Sequence, residues 1–287
     1  MITEITSLAN PKIKQIVKLR QRSHRDDAGV MLTEGYREIR RALDHGYRPE
    51  ALFYCEKLWL KHENEPAVVR ECERLGARLY ACTEQVFAKI AYRERPDGLL
   101  ATGPLVTKRL ADLDLPADAL VLVCESIEKP GNLGTMLRSA DASGVAAVIV
   151  CDPCTDIHNP NVVRASTGTL FTLPVAVASA SETLAWLKAH NFAIMAATPH
   201  AEKLYFEQNL TGRVALCLGS EQYGLTAEFM NRADLRVRIP MLGTADSLNV
   251  SAAATILLSE VVRQRILSGQ ITPPAAEAWH GEATHDH

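Results

Sequence analysis

Three observations predict an α/β fold in two domains. At 287 residues the chain exceeds one average domain, since domains usually run to about 100–200 residues. Its composition, 47% hydrophobic and 23% charged, is that of a globular protein with a sizeable core. From residue 118 onward the apolar, strand-like runs ALVLVC, AAVIVC, LPVAV, FAIMAAT, RVALCLG and LRVRIP alternate with helical segments such as NLGTMLRSADASG and SETLAWLKAH. Continuous apolar strands separated by helices indicate a parallel sheet buried on both faces.

Residues 1–104 mix helical and strand patterns: IKQIVKLRQR, YREIRRALDHG, ALFYC, AVVRECERLG, RLYACT, EQVFAKIA and GLLATG. In YREIRRALDHG, Ile39, Ala42 and Leu43 fall at helical spacing, with a glycine at the expected stop. This half reads as a smaller α/β domain. Residues 105–117, with alternating charge and proline nearby, suit a linker, and 118–269 form the larger domain. Its last helix, 249–267, is apolar on most faces and is expected to be buried from several sides, against a second subunit. Residues 270–287, acidic and rich in Pro and Ala without periodicity, read as a disordered tail.

The opening MITEITSLANPKIK lacks the apolar core of a signal peptide, and no run reaches the roughly 18 apolar residues of a membrane span, so a cytoplasmic protein is expected. Seven cysteines, an odd number, favour reduced thiols. Cys151 and Cys154 form a single C-x-x-C, which without a second pair reads as two thiols at a strand end, and no metal is expected. Net charge is −3, yet Lys12, Lys14, Lys18, Arg20, Arg22 and Arg25 lie in 11–25 with no acid among them, either a polyanion site or a solvated helix face.

In open α/β sheets ligands collect beyond the carboxyl ends of the strands. Three loops there stand out. The first, ESIEKPGNLGTMLRSADASGV, is a Pro-Gly turn leading into a helix expected to begin near Asn132, which could cap it. It lacks the Gly-Lys-Ser/Thr ending of a phosphate loop and the G-x-G of a dinucleotide fingerprint, which disfavours a nucleotide-dependent oxidoreductase. Arg138 stands six residues on in an otherwise apolar helix, and a buried or half-buried guanidinium there needs a carboxylate or a phosphate. In the second, LCLGSEQYGLT, a strand runs into Gly219, Glu221 and Gly224, where the backbone could admit a ligand or simply turn. In the third, RIPMLGTADSLNVSAAA, Ser247 or Asn249 alone would suffice as a helix cap, so the surplus of polar groups favours a site.

Together KPGNLGTMLRSADASGV, LGSEQYGL and IPMLGTADSLNVSAAA resemble, in order and spacing, the three motifs of the SpoU (TrmH) family of RNA ribose 2′-O-methyltransferases in the knotted SPOUT superfamily. The likeness covers about 118–266. The first half, with EGYREIRRALDHG, resembles the ribosomal-protein-like RNA-binding domain that precedes the catalytic domain in ribosomal-RNA members. The resemblance implies a deep trefoil knot, which periodicity could never show and which general topology disfavours. It also implies a homodimer through the knotted domain, S-adenosylmethionine as cofactor and RNA as acceptor, ribosomal RNA ahead of transfer RNA. It assigns Asn132, Arg138, Glu221, Ser247 and Asn249 to the catalytic motifs. Leu218, Gly219, Ile239, Met241, Leu248 and Thr198 fall to the cofactor, and the basic residues from Lys12 to Arg25 to RNA.

A guanidinium with a pKa above about 12 is a poor base. The role expected of Arg138 is therefore electrostatic, holding a phosphate and steadying the developing alkoxide while Ser247 and Asn249 orient both; a proton relay through phosphate also stays open. Glu221 is a neighbour for the sulfonium or an arginine, or a structural ion pair. The competing class, a catalytically silent RNA-binding protein on the same scaffold, is disfavoured by intact Arg138, Glu221, Ser247 and Asn249.

Overall fold

The computed structural model describes residues 2–60 and 63–274; most of the expected tail, 275–287, lies outside them. The first domain contains β1 (Ile2–Ile5), α1 (Pro11–Lys18), α2 (Arg22–Ala28), β2 (Val30–Glu34), α3 (Tyr36–Asp44), β3 (Ala51–Tyr54), α4 (Glu65–Arg74), β4 (Arg78–Cys82), α5 (Glu84–Ile90) and β5 (Leu99–Pro104). Its sheet runs β1-β4-β3-β5-β2, parallel over the first three strands and antiparallel at β5. Helices cover both faces, Ile13, Phe87 and Ile90 on one and Ile39, Leu43 and Val68 on the other. Asn10 starts α1 by accepting the Lys12 amide at 2.9 Å. Gly46, at φ +79°, follows α3 where the sequence places the stop. No apolar period announces α2, because it buries a single side chain, Arg25.

The second domain contains β6 (Leu120–Glu125), α6 (Pro130–Ala142), β7 (Ala147–Cys151), α7 (Pro160–Ala165), β8 (Val175–Ala178), α8 (Ala180–Ala189), β9 (Ala193–Ala197), β10 (Lys203–Leu204), β11 (Val214–Leu218), α9 (Ala227–Arg232), β12 (Leu235–Arg238) and α10 (Val250–Leu267). The sheet order is β10-β12-β9-β11-β6-β7-β8, parallel throughout. The continuous apolar runs follow from burial on both faces. Leu122, Val148 and Leu216 meet α6, α7 and α10, whereas Val123, Ile149 and Cys217 meet α8 and α9. Each such side chain contributes roughly 1.5–3 kcal/mol. Within the single chain α10 is buried along one side, while Ala252, Thr255, Ser259, Arg263 and Leu267 face solvent. Among the described residues no helix is long and apolar enough to cross a membrane.

The segment joining the domains is packed rather than loose. Leu105 and Val106 lie on the second core, and the Lys108 amide donates to the Val175 carbonyl at 2.8 Å. Met31 of β2, fully buried, belongs to that same core. The Tyr47 and Phe171 rings meet at 4.8 Å, and Arg41 donates to the Thr167 carbonyl at 2.7 Å. Gln270 and Ile271, the first residues of the expected tail, are held against the second domain: their amides bond to the Arg265 carbonyl and the Gln270 side chain donates to Asp118 at 2.7 Å.

Arg25 requires a correction. Rather than reaching RNA it is 1% exposed, ion-paired with Asp156 of the second domain and donating to the Leu19 and Arg20 carbonyls at 2.7 and 2.8 Å. A buried guanidinium is tolerated because these acceptors replace water. Burial by itself would raise the Asp156 carboxyl, but hydrogen bonds from His158 and Arg25 outweigh it and hold the group well below its ordinary range.

Arg25→Ala, which strands Asp156 at the seam, should cost about 3–5 kcal/mol in denaturant unfolding. Because the folded carboxyl is depressed, its contribution is complete above the unfolded value of about 3.9 and fades as the pH falls below it. Asp156→Asn should therefore be less stable at neutral pH and lose less than wild type between about pH 5 and pH 3.

Candidate functional site

The loops after β6, β11 and β12 come together at the carboxyl end of the second sheet, and a side-chain bond joins the first to the last. Asn249 caps α10: its Oδ1 accepts the Ser251 amide at 3.0 Å, the Ala252 amide at 3.4 Å and the Ser251 hydroxyl at 2.6 Å. With that oxygen engaged, its Nδ2 faces outward and donates to Asn132 Oδ1 at 3.1 Å. Asn132 is therefore not the cap expected for its own helix. That helix begins two residues earlier, with Pro130 in the first turn and Lys129 at the cap position, because proline's fixed φ and missing N–H suit the start of a helix. The Asn132 Nδ2 is left buried without a partner.

The loop after β11 is built on a close backbone crossing. A Cβ at Gly219 would lie 2.1 Å from the Gly224 carbonyl group, so only glycine fits. The Gly224 amide bonds to the Ser220 carbonyl at 2.9 Å and the Tyr223 amide to the Ser220 hydroxyl at 3.1 Å. Beneath it Glu125, buried at the end of β6, accepts the Thr226 amide at 2.8 Å and hydroxyl at 2.7 Å. Lys129 Nζ reaches Glu221 Oε2 at 2.5 Å, with side chains 67% and 20% exposed, and the carboxylate holds the lysine above its ordinary pKa. The other carboxylate oxygen, Oε1, is buried without a partner.

Between the second and third loops lies a cavity of about 510 Å³ whose lining includes Thr198, Leu218, Gly219, Ile239, Met241 and Leu248. These are the six positions assigned to the cofactor. Glu221 and Ser247 also border it. A mainly apolar slot with a few polar groups suits an adenosine-sized ligand. Glu221, at the border of the cavity, brings an acidic side chain that suits a positively charged centre there, so the residues present fit S-adenosylmethionine.

Asn132, Arg138 and Asn249 lie outside that lining. Arg138, expected to be buried or half-buried, is exposed. It shares the solvent side of α6 with Gly131 and Thr135, while Leu133, Gly134, Met136 and Leu137 face inward. Among the described residues it has no hydrogen-bond or ion-pair partner. Of the remaining basic residues, Lys14 and Lys18 are exposed. Lys12 lies over the Tyr80 ring at 5.0 Å, Arg22 pairs with Asp26 at 3.3 Å, and Arg20 donates to the Lys89 and Ala91 carbonyls at 3.0 and 2.8 Å. Cys151 is buried at the end of β7, its thiol pushed up to about 12 by burial; Cys154 is exposed. No group of potential metal ligands occurs among the described residues.

Sequence reasoning missed Glu125, Ser220 and the Lys129–Glu221 pair. An acid closing the apolar run LVLVC signals Glu125, whereas nothing local ties residue 129 to residue 221.

Comparison with known proteins gives the family of the chain. The profile of the SpoU rRNA Methylase family matches residues 119–259, and that of the MRM3-like substrate binding domain matches 10–101. The chain is 32% identical over 264 residues, 89% of its length and 90% of the relative's, to the 23S rRNA (uridine(2479)-2′-O)-methyltransferase of Streptomyces viridochromogenes. It resembles the crystal structure of an RNA 2′-O ribose methyltransferase at 44% identity and TM-score 0.80, covering 92% of this chain and 100% of that one. It also resembles the AdoMet-bound rRNA methyltransferase of Sinorhizobium meliloti at 30% identity and TM-score 0.84, covering 91% and 98%.

Two substitutions separate the duties of Asn249. Asn249→Ala, losing the cap, should cost about 1 kcal/mol. Asn249→Asp keeps an acceptor for the cap but brings a carboxylate against Asn132 Oδ1. Thermal unfolding should find the Asp variant the more stable of the two; equal destabilisation would show that the cap is not what Asn249 contributes.

Proposed function

Because the chain belongs to the SpoU rRNA methylase family, we propose that it transfers a methyl group from S-adenosylmethionine to a ribose 2′-hydroxyl of ribosomal RNA. The observation that carries this reading is the cavity that gathers Thr198, Leu218, Gly219, Ile239, Met241 and Leu248 from three separate segments, with Glu221 and Ser247 at its border. The donor, when bound, supplies an electrophilic methyl group on a sulfonium. What this chain must supply is a hydroxyl oriented in line with that carbon and a means of stabilising its oxygen as the proton leaves.

Arg138 fits the second task. Exposed and, among the described residues, without a partner, its guanidinium is available for a bidentate contact with the target nucleotide's phosphate, from which it steadies the developing alkoxide. Asn132, whose oxygen accepts from Asn249, ties the start of α6 to the start of α10 beside it. Ser247, exposed at the cavity border, orients the hydroxyl. Lys14 and Lys18 supply phosphate contacts from the first domain.

A homodimer through the second domain belongs to this reading. Its support is the small side chains Ala252, Thr255 and Ser259 on the open side of α10, which let a second helix approach closely. A trefoil knot in the chain after β11 is part of it as well, supported by the insertion of β11 between β9 and β6 and by the return of α10 to α6, where Ser139 and Thr255 hydroxyls meet at 2.7 Å. The place of action is the cytoplasm, where ribosomal RNA is processed.

Ribose methylation mapped across ribosomal RNA from cells with and without this protein tests the assignment: one or more 2′-O-methyl marks should vanish without it, and an unchanged map would refute it. Arg138→Lys should keep donor affinity and lose about 100-fold or more in turnover; near-normal turnover would reject its role. Changing Lys14 and Lys18 together to alanine should flatten the salt dependence of RNA binding by about one to two logarithmic units per tenfold salt. An unaltered slope would remove them from the RNA path.

A further inference from the structure

The Lys129–Glu221 pair has a geometry that a simple structural bridge does not require. Lys129 is two-thirds exposed, whereas Glu221 is one-fifth exposed and borders the donor cavity. Only one oxygen of that carboxylate is used; the other is buried and faces no donor. An ionised carboxylate withdrawn from water needs compensating positive charge, and the flexible ammonium of Lys129 provides it from the solvent side, bridging the segment before α6 to the loop after β11.

Donor and product differ in charge at one atom: S-adenosylmethionine carries a sulfonium, and S-adenosylhomocysteine a neutral thioether. Their other groups are the same. A cation arriving at Glu221 from the cavity side therefore meets a carboxylate already half neutralised from outside.

Resting on the donor-site reading above, we propose that Lys129 competes with the donor's sulfonium for Glu221, so that this ion pair sets how strongly the site prefers the charged donor over its uncharged product. Lys129 is then a specificity-determining residue that acts through Glu221. It keeps the carboxylate paired when product occupies the cavity, and so narrows the difference between the two ligands.

The test is calorimetric binding of S-adenosylmethionine and S-adenosylhomocysteine to the full chain. In Lys129→Ala the ratio of product Kd to donor Kd should rise about threefold, the scale of one exposed ion pair, and Lys129→Gln should do the same. Glu221→Gln should lower the ratio below that of wild type. Lys129 is exposed, so thermal unfolding of its variants should match wild type. A purely structural role would weaken both ligands by one factor, and an unchanged ratio in the Lys129 variants overturns the proposal. Wild-type protein that binds neither molecule would instead sink the donor-site reading itself, and this inference with it.

Discussion

The site depends on one side chain bonding in two directions. Asn249 must present its oxygen to the first turn of α10, because the amides there have no other acceptor. That choice turns its nitrogen toward Asn132, which must answer with its own oxygen, and the amide nitrogen of Asn132 is thereby left free. A capping requirement at one helix thus fixes the polarity of a group on another. Only the amide of asparagine meets both demands, since serine or aspartate would cap the helix without offering the second donor in that geometry.

Two arginines show how burial assigns roles. Arg25 and Arg138 both sit on helices, but Arg25 is enclosed by Asp156 and two carbonyls and is committed to holding the domains together. Arg138 projects from the outer side of α6 and keeps its hydrogen-bonding capacity for a ligand. A guanidinium that already satisfies its donors inside the protein has little to offer a phosphate, whereas one left in water gives up only hydration.

The two domains are tied by more than their linker. Met31 contributes to the second core, Tyr47 packs on Phe171, and Arg41 reaches the Thr167 carbonyl. These contacts hold the first domain against the 156–171 region, which follows β7 at the same end of the sheet as the donor cavity. On the proposed reading, a substrate held by the first domain would in this way be presented to a site of fixed geometry, which matters because misplacement of reacting atoms by about 1 Å can cost 100-fold in rate.

Much of this was legible in the amino-acid order. Apolar runs marked the strands of the second sheet because parallel strands buried on both faces have no polar side to show, and Gly46 marked the end of α3 through its backbone freedom. The three motif stretches pointed to the cavity residues by likeness to a family. Short-range pattern could not show α2, whose single buried residue is an arginine, nor the true start of α6 at Pro130. Tertiary structure alone decided that Arg25 is buried and Arg138 exposed, that Asn132 answers Asn249 instead of capping its own helix, and that Lys129 meets Glu221. Each of these is a contact across 92 to 131 residues, or the lack of one. The charge or hydrogen bond a side chain ends up with depends on what the fold carries to it, and a local window of sequence holds no record of that partner.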